Sequence, residues 1–181
     1  MKEVLLDLAR KSIESHFSGR RLDTSGLKKE YPWLNEKGAC FVTLSLNGEL
    51  RGCVGSIEAH RSLLDDVLGN AYAAAFKDSR FTELKKTELE SIVLEVSLLS
   101  EPKVVAYTDF DDLKSKIRIG IDGVILSLGG HQATFLPQVW EMLQSHELFF
   151  SHLCQKAGMQ GSCLRQNPQI MTYQVKKVKE N

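Results

Sequence analysis

The sequence predicts an α+β fold with mostly antiparallel pairing, and three observations carry that expectation. Asn47-Gly48 separates two alternating apolar runs, and Asn-Gly readily adopts the positive φ values of a type I′ hairpin turn. Further strand-like runs lie at residues 92–98 and 170–175. Helical apolar spacing recurs between the strands at irregular intervals, which does not suit an alternating parallel sheet. A length of 181 residues with 43% hydrophobic content fits one domain over residues 1–181 and is enough to bury a core.

From the N-terminus, Leu5, Ala9, Ile13 and Phe17 recur every four residues and Gly19 follows, so residues 3–18 read as an amphipathic helix with a glycine stop. Residues 20–39 are polar, carry Gly26, Pro32 and Gly38, and read as an irregular segment over the body of the domain. Strands on either side of Asn47-Gly48 follow, and then Ser62 opens a helix with a small-residue apolar face that includes Ala71, Ala74 and Ala75. Ile92, Leu94, Val96 and Leu98 alternate with polar Glu95 and Ser97 as a half-buried strand, and a short strand covers residues 104–107. Asp109 caps a helix running to Ile117, Asp122-Gly123 reads as a second hairpin turn and Gly129-Gly130 as a third. A helix capped by Ser145 and stopped by Gly158 precedes a last strand at residues 170–175 and a basic, solvated tail.

Charge balance excludes some function classes. Lys plus Arg and Asp plus Glu both total 23, so no global field draws nucleic acid or an anionic membrane. The longest uncharged stretch, residues 123–140, contains Gly129, Gly130, His131, Gln132, Pro137 and Gln138, too polar for a membrane span. Charges interrupt the N-terminal apolar residues before a signal-peptide core can form, which implies no export. Cys40, Cys53, Cys154 and Cys163 are too sparse for a disulfide scaffold and contain no CxxC pair. Reduced thiols in the cytoplasm are the expectation.

The chemistry concentrates after the first hairpin turn. A two-residue turn sets Leu46 against Glu49, Leu44 against Arg51 and Val42 against Cys53, which places Arg51 and Cys53 on one face with Cys40 diagonal to Cys53. A guanidinium near a thiol favours the thiolate. Gly52 and Gly55 leave bare backbone beside Cys53, as a bulge, a bend or a close-approaching ligand requires. Free Cys is most often a small buried hydrophobe, so a reactive thiol and a packed one both stay open. His60 and His131 are the candidate bases, and no rule of spacing chooses between them.

Elsewhere the signals are weaker. His146, His152, Cys154 and Cys163 match no common zinc spacing, and Gly129-Gly130 lies outside any phosphate-loop pattern, so neither a metal nor a nucleotide cofactor is expected. Arg80 could bind an anion, although a salt bridge to Asp78 is the commoner fate. Glu95 faces either a cleft or solvent.

Leu50-Arg-Gly-Cys-Val-Gly55 resembles the Leu-Arg-Gly-Cys-Ile-Gly signature of the AMMECR domain family. Phe41-Val-Thr-Leu before the turn, Ala73-Ala-Ala-Phe-Lys-Asp-Ser-Arg-Phe81, Leu94-Glu-Val-Ser-Leu-Leu99, Thr134-Phe-Leu-Pro-Gln-Val-Trp140 and Leu153-Cys-Gln-Lys-Ala-Gly158 resemble further family blocks in their usual order. The resemblance spans nearly the whole chain and implies an α+β fold, with an antiparallel sheet flanked by helices and a smaller subdomain forming a cleft. In prokaryotes this family includes protein A of the AmmeMemoRadiSam system, which implies a Memo-like protein and a radical-SAM protein as partners. It implies no settled activity. On the matching positions it directs attention to Arg51, Gly52, Cys53 and Gly55, with Arg80, Glu95 and the segment from His131 to Pro137 as cleft neighbours for a small-molecule ligand. Met159-Gln-Gly-Ser-Cys-Leu164 departs from the Leu, Pro-rich turn and Trp of many relatives.

Three functional readings follow. The chain is expected to be an accessory partner of those two proteins, because the signature offers one thiol and one arginine but no complete catalytic set. A thiol enzyme using Cys53 with Arg51 is the alternative. A structural Cys40–Cys53 disulfide is the third.

Overall fold

Glycine and the N-caps punctuate this chain where local chemistry calls for them. The computed structural model describes residues 2–181. Helix α1 (Lys2–Ser18) ends at Gly19 with φ of 66°, and α2 (Leu27–Glu30) with a 3₁₀ turn at Pro32–Asn35 occupies the polar segment. Strands β1 (Ala39–Leu46) and β2 (Glu49–Gly55) meet at Asn47-Gly48, where φ is 53° and 85° as a type I′ turn requires. The remaining elements are α3 (Leu63–Phe76), β3 (Ile92–Leu99), β4 (Lys103–Val104), α4 (Phe110–Lys116), β5 (Gly123–Leu128), β6 (His131–Phe135), α5 (His146–Lys156), β7 (Gln169–Tyr173) and β8 (Val175–Lys179). The side chains of Ser62, Asp109 and Ser145 accept backbone N–H bonds at the starts of α3, α4 and α5.

The chain divides into two compact units, one of residues up to Leu99 with Lys176–Asn181, and a smaller one of Ser100–Val175. Each has an antiparallel sheet, of order β2-β1-β3-β8 in the first and β4-β7-β5-β6 in the second. In the first, Cys40, Val42, Leu44, Leu94 and Val96 project from one sheet face with no exposure and pack in one cluster with Leu5, Ala9 and Ile13 of α1 and Val67, Ala71 and Ala74 of α3. Each buried Leu or Val contributes about 1.5–3 kcal/mol by leaving water. In the second, Val124, Leu126 and Ile170 pack with Phe149, Phe150 and Leu153 of α5, and Trp140 stacks on Phe149 with ring centroids 3.6 Å apart.

Five expectations are corrected. The β1–β2 register shifts between Leu44 and Ser45, so that Leu44 opposes Gly52 and Cys53 opposes Thr43 instead of Val42. The unshifted pairing would set Arg51 against core-facing Leu44 and bury its charge, whereas the bulge turns Gly52 inward and carries Arg51 away. Cys40 and Cys53 consequently lie on opposite faces of the sheet and both are free, which excludes a bond between them. Asp122-Gly123 is no hairpin turn: Asp122 is buried, accepts from Arg118, and leads into β5, while Gly129-Gly130 joins β5 to β6 with φ of 55° and 84°. The basic tail is strand β8 beside β3, and Cys154 is bonded to Cys163 where reduced thiols were expected.

Candidate functional site

Strand β2 is an edge strand of its sheet, so its outward backbone groups need partners from outside the ladder. At Cys53 those partners are side chains. The Cys53 N–H donates to Asp78 Oδ2 at 2.9 Å, and Arg80 Nη2 donates to the Cys53 carbonyl at 3.3 Å. Asp78 and Arg80 also bind each other, with Nε to Oδ1 at 3.0 Å and Nη2 to Oδ2 at 2.7 Å. The pair thus does for one residue what a neighbouring strand would do. The Arg80 guanidinium, with the Cys53 and Arg80 N–H groups, holds the Asp78 carboxyl well below the usual carboxylate range against the cost of its burial.

Arg51 is engaged in the same manner two residues away. Its Nε and Nη2 fork onto Glu88 at 2.8 and 3.1 Å, Nη1 donates to the Thr82 carbonyl at 2.9 Å, and Nη2 to that of Glu83 at 3.3 Å. Glu88 is lowered chiefly by Arg51 and also accepts from the Lys85 N–H at 2.7 Å. Arg51 and Arg80 therefore fasten the loop between α3 and β3 along the outer edge of β2.

The two glycines answer to close packing. A Cβ on Gly52 would lie 2.1 Å from the Ala74 carbonyl oxygen, so the small-residue face of α3 rests directly on this backbone. A Cβ on Gly55 would lie 2.2 Å from the Phe41 ring.

The Cys53 sulfur is half-buried on the sheet face opposite the helices and accepts from Thr43 Oγ1 at 3.3 Å. Thr43 in turn pairs across the sheet with Glu95, whose Oε1 lies 3.5 Å from Ser97 Oγ and 3.6 Å from Lys177 Nζ. Cys53, Thr43, Glu95 and Lys177 thus form a polar row across β2, β1, β3 and β8. Cys40, by contrast, is fully buried with Asn70 Nδ2 3.7 Å from its sulfur, and burial, with the nearby Asp66 carboxylate, pushes its thiol up.

Neither candidate base hydrogen-bonds this sulfur. His131 belongs to the smaller unit, where Nδ1 lies 2.9 Å from the Ala157 carbonyl and so carries the proton, and His60 is exposed beside Glu58 at 3.0 Å. His146 and His152 bond the carbonyls of Ile117 and Leu148, and no cluster of three or more metal-ligating groups occurs among the described residues. Sequence reasoning expected the Arg80–Asp78 ion pair but missed the bond from the Cys53 N–H to Asp78, and missed Thr43 and Glu88 as neighbours of the signature. The signal for Thr43 was its parity on β1, which only the bulge reveals.

A buried polar knot anchors the inner end of the hairpin. The carboxylate of Asp66, 1% exposed, accepts from the Cys40 N–H at 2.8 Å, Ser56 Oγ at 2.6 Å, Arg61 Nε at 2.9 Å and Asn70 Nδ2 at 3.0 Å. All its donors come from β1, from the chain just past β2, or from α3 and its approach. It fixes how the helix lies on the strands.

These features define an α+β protein with one half-buried thiol on a side-chain-braced edge strand. The AMMECR1 family profile matches residues 6–178, and the chain belongs to that family. It is 38% identical over 169 residues to Protein LS215_2104 of Saccharolobus islandicus, which covers 90% of this chain and 74% of that protein. It is also 36% identical over 159 residues to Protein MJ0810 of Methanocaldococcus jannaschii, covering 83% and 75%. Among solved structures it is similar to that of the uncharacterized protein PH0010 from Pyrococcus horikoshii, with a TM-score of 0.88 at 30% identity, covering 99% of this chain and 91% of that one. No helix is long and apolar enough to cross a membrane among the described residues.

Proposed function

We propose that the chain is an accessory protein that acts by binding a Memo-like protein and a radical-SAM protein in the cytoplasm. The observation that supports this reading is the use of the signature's charges. Arg51 and Arg80 are occupied by Glu88, Asp78 and backbone carbonyls, and no guanidinium, imidazole or carboxylate hydrogen-bonds the Cys53 sulfur among the described residues. A catalytic nucleophile needs an activating base or charge within hydrogen-bond reach. The resemblance to AmmeMemoRadiSam proteins supplies the identity of the two partners. Native co-purification of the three co-expressed proteins tests the reading. Co-elution of this chain with either partner is expected, and its repeated absence overturns it.

A second reading, a thiol-dependent enzyme using Cys53 on a small substrate, rests on a different observation. Cys53 is the one cysteine both free and partly exposed, since Cys40 is buried and the other two are bonded. Alkylation of Cys53 followed against pH tests it. Labelling at pH 6 to 7 faster than that of the unfolded chain supports this reading, and an equal or slower rate rules it out.

A further inference from the structure

The smaller unit contains a cavity of about 510 Å³ that none of the signature residues line. That volume falls among small-molecule sites, roughly 300–1,000 Å³. Three stretches wall it: residues 107–113, one face of α5, and residues 161–167. Phe110, Leu113, Phe150 and Leu164 give it an apolar lining, and the Phe110 and Phe150 rings meet edge to face with centroids 6.0 Å apart. A flat, apolar ligand body suits such a lining.

The rim decides the polar end of the ligand. Its two carboxylates are already engaged: Asp109 Oδ1 accepts from the Asp112 N–H at 2.8 Å, and Glu147 Oε1 from Lys114 Nζ at 3.1 Å. Arg165 is exposed at the same rim and has neither an ion pair nor a side-chain hydrogen bond among the described residues. Asp109 keeps its charge with only that backbone bond, so the rim carries both signs, and Arg165 is the one cation lining the cavity among the described residues, a guanidinium fork whose geometry matches a carboxylate bidentately.

The third wall depends on the disulfide. Residues 161–167 include only a short 3₁₀ turn at Cys163–Gln166, and Cys163 is bonded to Cys154 inside α5, both sulfurs fully buried. Gly161 lies flush on α5, where a Cβ would come 2.6 Å from Ser151 Oγ, and the far end is tied by the Tyr107 hydroxyl donating to the Pro168 carbonyl at 2.6 Å. Leu164 and Arg165 follow the bonded cysteine directly. Reduction by a dithiol delivers two electrons and two protons, breaks the S–S bond, and leaves two thiols here and a disulfide on the reductant. The covalent tie of this wall to α5 is then gone.

We infer that this cavity binds a small aromatic carboxylate, with Arg165 holding the carboxylate and the Cys154–Cys163 disulfide holding the wall, so that reduction weakens binding. The test is an NMR titration of the full, isotope-labelled, oxidised chain with naphthoate and with uncharged naphthamide. Saturable shifts are expected at residues 107–113, 147–151 and 161–167, with naphthoate preferred at least about fivefold. Arg165→Gln, on an exposed side chain, keeps the native spectrum and abolishes the preference. Treatment with dithiothreitol, verified by a mass gain of about two daltons, weakens naphthoate binding at least about fivefold, and the Cys154→Ser, Cys163→Ser double variant gives the same loss if the buried bond resists reduction. Absence of saturable shifts at those residues in millimolar naphthoate overturns the site. Unchanged acid preference in the Arg165 variant overturns the anion anchor, and unchanged affinity without the bond overturns the redox link.

Discussion

Gly52 is where sequence and packing meet most tightly, because the obstacle to a side chain there is backbone. The Ala74 carbonyl oxygen would stand 2.1 Å from an added Cβ and cannot rotate away as a side chain could. Gly52→Ala must lift α3 from the hairpin or distort the bulge, and a loss of roughly 2–3 kcal/mol in urea unfolding is expected. A change below about 0.5 kcal/mol would show that α3 does not rest on β2. The sequence declared a special backbone at residues 52 and 55, since glycine within a strand has few other uses, but not what approaches it. That information lies in Ala74 and Phe41, 22 and 14 residues distant, and no local pattern links them. Asp78 carries the second prediction at this scale. Its folded-state pKa is depressed, so its stabilising contribution is present above the unfolded carboxylate value near 4 and is lost as pH falls toward the lower folded value. Asp78→Asn should therefore cost about 1–2 kcal/mol at neutral pH, discounted for the exposed Arg80 partner, and less at pH 2–3. Urea midpoints at the two pH values check this, and a cost that grows on acidification would refute it.

At the scale of elements, the helix starts and the hairpin turns at residues 47–48 and 129–130 were legible because each depends on groups within a few residues of one another. Ser62, Asp109 and Ser145 cap their helices through bonds to N–H groups three residues on, and Asn47-Gly48 needs only its own φ angles. The β2 register and strand β8 were not legible, since both are decided across the sheet. A plain two-residue hairpin points Arg51 at the core, and only the bulge sends it toward Glu88. Lys176, Lys177 and Lys179 read as a solvated end because lysines are common on exposed strands and tails alike. The brace along β2 makes its own prediction. Arg51→Gln removes the fork to Glu88 and weakens the bonds to Thr82 and Glu83, so amide exchange in residues 82–88 should quicken while the α3 interior stays protected. Uniform quickening across both segments would instead place Arg51 in the global fold.

For the whole molecule, equal numbers of acidic and basic residues leave no net field, and the arginines of the signature spend their charge on the chain itself. What distinguishes the two units is covalent: the larger holds free Cys40 and Cys53, the smaller the Cys154–Cys163 bond. The expectation of reduced thiols came from spacing, and spacing could not foresee a helix turning Cys154 toward Cys163, nine residues along, in one apolar cluster. A cross-link closing so short a loop restricts the unfolded chain modestly, worth roughly 2–3 kcal/mol in the loop-entropy account. Its loss should therefore act locally. Reduction is expected to lower the protection of α5 and β7 in hydrogen exchange read by mass spectrometry, because Phe149, Leu153 and Ile170 share the core that contains the bond. Protection of β1 and β3, whose core includes neither sulfur, should remain within error. Equal loss in both sheets would mean that the two units unfold as one cooperative body, and the independence of their cores would have to be given up.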